Sequence, residues 1–228
     1  MQEDIEIFLA SEIDRRLAAG SLKIKNKDLR SELLSDLKQK ADGMILLSKL
    51  QLDYICGLRS DRAIKEAMNR SPSSMYATYD EILRQLCSKR PGDIETMKSI
   101  LQWLIHCKVP LTLRQVAEIV SIRKGDQYLD ESGIATDVWD LASCLGSLVT
   151  LHTEDTSGEI YTDLRGTQVT VMTLAHYSVE EYLISGKMDP ELAMVFPMDP
   201  DSIHLQCAKL CLQYIAFDDF KCPIAGPV

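Results

Sequence analysis

Apolar residues at Ile5, Phe8, Leu9, Ile13 and Leu17 recur at steps of three and four, the spacing of one buried helical face. A second such stripe begins near Asp28, with Leu29, Leu33, Leu34, Leu37 and Ala41, and Gly43 is placed to break it. The next stretch, Lys40 to Ile55, has no clean face. Met44, Ile45, Leu46 and Leu47 are consecutive, and Leu50, Leu52, Tyr54 and Ile55 follow, so the pattern predicts a helix enclosed by its neighbours. Ser60-Asp61 can cap a short helix over 62–68. Pro72-Ser73-Ser74 opens another, with Met75, Tyr76, Tyr79, Ile82, Leu83 and Leu86 facing inward. Five helices with short joints predict a bundle over residues 1–92.

Arg90-Pro91-Gly92-Asp93 punctuates the chain, and Asp93 is placed to cap the helix that follows. That helix runs to Cys107 on Ile94, Met97, Ile100, Leu101, Leu104 and Ile105. Pro110 ends it, and Thr112 with Gln115 three residues on forms a capping box for the next. A third helix fits 136–145 and stops at Gly146. The period then becomes two: "LVTLHTED" and "QVTVMTL" read as strands of a hairpin around Thr156-Ser157-Gly158. Three helices followed by a hairpin is the order of a winged helix. Ser178 and Glu181 make a second capping box, opening a helix to Ile184, and a last helix covers 202–216. The fold class expected is mainly α: a helical, lid-like domain over 1–92, a winged helix with a small β-hairpin wing over 93–186, and a linker helix over 187–228.

Composition narrows what such a chain can do. No apolar run approaches the ~20 residues of a membrane span, and the acidic start Met1-Gln2-Glu3-Asp4 is unlike a signal peptide. Seven scattered cysteines fit a reduced, cytoplasmic protein with thiols in its core. Net charge is −9, and it is uneven: residues 1–70 hold 13 basic and 12 acidic side chains, residues 71–228 hold 12 and 22. Phosphate-backbone binding draws on a cationic surface, so the second part starts with the wrong sign for nucleic acid.

"KADGMILLSKLQLDYI", "SPSSMYATYDEILRQL", "ILQWLIHCKVPLTLRQVAEIVS" and "VTVMTLAHYSVEEYLIS" stand in that order along the chain. Together, from about Asp4 to Tyr214, they resemble the region after the nucleotide-binding core in fungal NACHT-type STAND NTPases. These are related in layout to NOD-like receptors and often carry C-terminal ankyrin repeats. Their winged helix is also catalogued as the GPI inositol-deacylase type. The chain itself has no G-x-x-x-x-G-K-[ST], since Gly186-Lys187 is followed by Met188, and it has no Walker B strand and no G-x-S-x-G elbow. The resemblance therefore implies a fragment or truncated product: a regulatory and interaction module, not itself an enzyme, with no catalytic residue, metal or cofactor of its own. Its implied partners are proteins, namely the nucleotide-binding core and repeat domains of a parent, or a second copy. Neither nucleic acid nor membrane is expected.

One site residue comes with the resemblance. His176, between the last strand and the helix after it, matches a winged-helix histidine that touches the β-phosphate of bound ADP. The alternative role is a hydrogen bond tying strand to helix. His204, Cys207 and Cys211 share a helix and could start a zinc site, but Leu205, Leu210 and Leu212 on the same helix favour core cysteines. His106-Cys107 reads as the end of a core helix, without a neighbouring acid to orient the imidazole. A winged helix raises the alternative of DNA binding, yet its third helix, "TDVWDLASCL", offers Asp137 and Asp140 and no cation. Arg114, Arg123 and Lys124 form only a small basic spot, and Trp103 and Trp139 are expected in the core. A protein-binding adaptor without any NTPase is the other alternative.

Overall fold

The three-and-four spacing of the first 40 residues becomes α1 (Gln2–Ala18) and α2 (Lys27–Lys40), which bury Ile5, Leu9 and Ile13 against Leu29, Leu33 and Leu37. The computed structural model describes residues 2–40, 45–70, 75–154, 160–163 and 166–220. Gly43, Met44, Pro72-Ser73-Ser74, Thr156-Ser157-Gly158 and Cys222 lie outside them. α3 (Ile45–Cys56) packs on both preceding helices and adds Leu52 and Ile55 to the same core. Its described side chains are enclosed on most sides, including Ser48 and Gln51, while Lys49 reaches solvent. α4 (Asp61–Arg70) closes this core with Ile64 and Met68. The Ser60 hydroxyl accepts from Ala63 N at 3.2 Å, as a cap should. Asp61 also accepts from Lys25 N and Asn26 N, pinning the α1–α2 connection to the start of α4.

A charged network lies inside this first assembly. Arg16 of α1, 8% exposed, donates from Nε to Glu12 at 2.9 Å, pairs with Asp53 of α3, and donates to the Cys56 sulfur at 3.4 Å. Hydrogen bonds from Arg15 and Arg16 hold Glu12 down at about 2, against the opposing effect of burial. Burial pushes Asp53 and the Cys56 thiol upward, the reverse of Arg16's pull on each.

The chain divides into two compact units, residues 1–85 and 86–228. The division falls inside α5 (Met75–Lys89) rather than at the Pro91-Gly92 joint. The joint is a single tight turn, Pro91–Asp93, and Asp93 makes no side-chain cap. Its carboxylate is drawn instead to Arg90, 3.3 Å away. α6 (Ile94–His106) follows, then β1 (Leu111–Thr112), α7 (Leu113–Ser121), α8 (Val138–Leu145), β2 (Val149–His152) and β3 (Val171–Leu174).

In chain order these elements run helix–strand–helix–helix–strand–strand, and the three strands form one antiparallel sheet. β3 is the central strand, antiparallel to both neighbours: Thr112 faces Val171 on one side, and Val149 faces Leu174 on the other. The two-residue β1 is too short to show a period in the sequence. Beyond β2 and β3 the hairpin continues as the isolated pairs Glu154 with Ile160 and Thr162 with Gln168. Thr112 caps α7 with the full reciprocal box: its hydroxyl accepts from Gln115 N at 3.1 Å, and Gln115 Oε1 accepts from Thr112 N at 2.9 Å. Asp137 caps α8, and Gly146 ends it at φ 53°, ψ −126°, a conformation that disfavours any side chain. The core of the unit gathers Met97, Ile100, Leu113, Val116, Leu145 and Met172. Two elements carry the chain onward, α10 (Pro190–Val195) and α11 (Pro200–Ile215), each with proline in its first turn and aspartate as cap. α11 packs on α6.

Candidate functional site

β3 delivers the chain to His176, whose neighbour Ala175 is held by a bond from its N–H to Leu148 O at 2.9 Å. His176 is extended (φ −162°, ψ 153°) and is itself the N-cap of α9 (Tyr177–Ile184). This corrects the sequence reading, in which Ser178 capped the helix. Ser178 lies two residues past that cap, inside the helix and buried. Its backbone N–H donates to His176 Nδ1 at 3.2 Å, and its hydroxyl stands 2.9 Å from the same nitrogen. Val179 N bonds the His176 carbonyl at 3.0 Å, completing the start of the helix.

The tautomer follows from this geometry. A nitrogen that accepts a backbone N–H carries no proton, so the neutral ring holds its hydrogen on Nε2. Among the described residues Nε2 has no hydrogen-bond partner. The ring is half-buried beside Tyr177, with centroids 4.2 Å apart, and Tyr177 is exposed. Glu180 lies in the first turn and Glu181 follows, so part of the positive end of the helix dipole is already met by carboxylates. The site therefore offers one neutral N–H donor at a helix start.

The remaining candidates separate. His106 Nδ1 stands 3.0 Å from Gln102 O, and its ring meets the exposed His204 edge-on with centroids 4.4 Å apart. Burial pushes the Cys107 thiol up, and Cys207 up to about 11, with smaller contributions from the nearby thiols. Both are therefore protonated and poor nucleophiles. Cys211 is exposed, and of the six described cysteines only Cys144 is buried, so the core placement expected for the thiols is corrected. These sit on helix flanks that the heptad-like pattern alone does not distinguish from the core. Among the described residues no three His, Cys, Asp or Glu side chains stand where they could hold a metal ion. Trp139 is also corrected: it is 55% exposed, because α8 buries Leu141, Cys144 and Leu145 and Trp139 lies on the opposite side.

An open cleft of about 400 Å³ lies beside α8, lined by Arg90, Asp93, Thr96, Thr136, Asp137 and Asp140. Its cation is engaged: Arg90 grips Asp140 through two bonds of 3.1 and 2.8 Å and holds its carboxyl below the usual range. Arg114 is paired likewise, with Glu118 at 3.0 Å. A second, apolar groove of about 260 Å³ is walled by Trp103, Ile119, Ile122, Leu210, Cys211 and Tyr214 from α6, α7 and α11. The sequence pattern missed it, because the apolar sides of α7 and α11 are visible in the sequence but which helices they flank is not. Among the described residues no helix is long and apolar enough to cross a membrane.

Comparison with known proteins adds one relative. The chain is similar to the azaphilone pigments biosynthesis cluster protein L of Monascus ruber, 26% identical over 171 residues, which is 74% of this chain and 33% of that protein. The chain thus spans about a third of that relative's length. No protein-family profile and no solved structure matches it.

Proposed function

We propose that the chain is the regulatory module of a STAND (NACHT-type) signalling NTPase, closing over a nucleotide-binding core encoded outside these 228 residues and controlling its assembly. The observation that carries this reading is the state of His176. Its Nδ1 is used up in capping α9, which fixes the proton on Nε2 and leaves a half-buried donor at a helix start. Such a group can reach a phosphate oxygen presented by another domain, although Glu180 nearby limits how strongly it attracts one. Nucleotide exchange would then shift the module between docked and released arrangements by its different affinity for the two. The module performs no chemistry in this scheme, and the nucleotide belongs to the core. The relative's additional length leaves room for such a core.

DNA binding is the weaker alternative. The helix that would enter the groove exposes Trp139 and Asp140, and the cation beside it, Arg90, is already paired. A protein-binding adaptor without any NTPase is supported by the apolar groove.

Substitution at His176 separates capping from phosphate contact. Asp is a good N-cap, so His176→Asp keeps α9 intact while placing negative charge where phosphate would sit. The chain should bind a NACHT core from the same organism at least tenfold more tightly with ADP than with ATP, measured by titration calorimetry. H176D should abolish that difference without changing the thermal unfolding of the chain. Binding that is absent, or equally strong with either nucleotide, would refute the proposal.

A further inference from the structure

α6 and α11 pack on each other, and two contacts fix how their residues line up. The His106 and His204 rings meet with centroids 4.4 Å apart. One turn earlier in α6 and two turns later in α11, Trp103 and Cys211 wall the same groove, with Leu210 and Tyr214 beside them. The two helices therefore run antiparallel. From the level of Trp103 and Cys211, one turn on along α6 reaches Cys107, and one turn back along α11 reaches Cys207. Cys107 still belongs to the helical ladder, since its N–H bonds Trp103 O at 2.9 Å. Both cysteines are half-buried, and neither is in a disulfide.

Packed helices run ~8–10 Å apart with Cα atoms ~2.3 Å off each axis, so facing positions come within about 6 Å, the span of a disulfide. We infer that Cys107 and Cys207 are a redox pair: a small-molecule disulfide oxidises them to a bond that ties α11 to the end of α6. Cys211 is not the partner of Cys207. The two stand four residues apart on one helix, where Cβ atoms are ~6 Å apart against the ~3.8 Å a disulfide needs. The closeness of Cys107 also shows in its share of the upward push on the Cys207 thiol, second to burial.

The chemistry is two exchanges. One protein thiolate attacks a sulfur of glutathione disulfide, forming a mixed disulfide while one glutathione leaves and takes up a proton. The second protein thiol loses its proton to solvent and displaces the other glutathione. Two protein thiols are oxidised, and one glutathione disulfide is reduced to two glutathiones. Because burial keeps both protein thiols protonated at neutral pH, the exchange is slow there and quickens as pH rises. The bond closes a loop of ~100 residues, so it constrains the unfolded chain strongly. It also fixes α11, the element that carries the chain onward, and reduction frees it again. This inference does not rest on the role proposed for His176.

Incubating the full chain without denaturant in about 5 mM glutathione disulfide near pH 8.5 tests it. Peptide mapping by mass spectrometry should find Cys107 joined to Cys207. Unfolding followed by tryptophan fluorescence should move up by about 10 °C and return with dithiothreitol. Cys107→Ser and Cys207→Ser should each show no such rise, whereas Cys211→Ser should show it in full. Absence of the joined peptide would overturn the inference. So would a bond from Cys107 to any other cysteine, and so would a rise that persists in C107S.

Discussion

Arg16→Ala deletes the one cation that faces Glu12, Asp53 and the Cys56 sulfur inside the α1–α3 contact. The side chains of Arg16, Glu12 and Asp53 are 10%, 12% and 20% exposed, so Asp53 would be left nearly dry without its ion pair while Glu12 keeps only Arg15. Removing one member of a buried ion network costs about 3–5 kcal/mol. Arg15 remains to serve Glu12, which brings the expected loss down to ~2–4 kcal/mol. With a urea slope of about 1–3 kcal/mol per molar, the midpoint should fall by ~1–2 M.

Both tryptophans, Trp103 and Trp139, lie in residues 86–228, so fluorescence follows the second unit while far-UV circular dichroism follows both. The dichroism transition should move and the fluorescence transition should not. Replacing all three charges, R16M with E12Q and D53N, should recover most of the loss, because neutral groups of similar shape leave no stranded charge. If R16A unfolds at the wild-type urea concentration, the network contributes nothing and the argument from burial is wrong.

Two further outcomes can be checked in the same way. Glu12 titrates at about 2 in the folded chain against an ordinary 4.5, so its contribution is complete above pH 4.5 and is lost as pH falls towards 2. Glu12→Gln should flatten the acid limb of a dichroism-monitored stability profile over that window. Thr112→Ala removes the hydroxyl half of the α7 capping box and should cost about 1 kcal/mol, seen as a lower fluorescence midpoint for the second unit.

Elements with a full apolar face were legible in the sequence. The stripes of α1, α2, α5 and α6 reappear as helices, the β-branched runs as β2 and β3, and Thr112 with Gln115 as the cap of α7. What escaped depended on partners far away in the chain. β1 is visible only through its pairing with Val171 and Met172, some 60 residues on. The Asp93 cap failed because Arg90 competes for the same carboxylate, and the Ser178 cap failed because a histidine can also accept an N–H. Ser178 and Glu181 satisfied the local rule for a capping box, but the chain had already turned into the helix two residues earlier. His176 thus takes the cap that the sequence pattern assigned to Ser178. The groove beside α11 was not legible at all, since it exists only where three helices meet.

Thr112 ends β1, pairs with Val171 and starts α7, while the far end of the same strand β3 leads through Ala175 into the His176 cap. Two helix starts are thus strung on one four-residue rod. The backbone positions of both caps are therefore set by one strand, so a one-residue slip in the register of β3 would displace the two helix starts together.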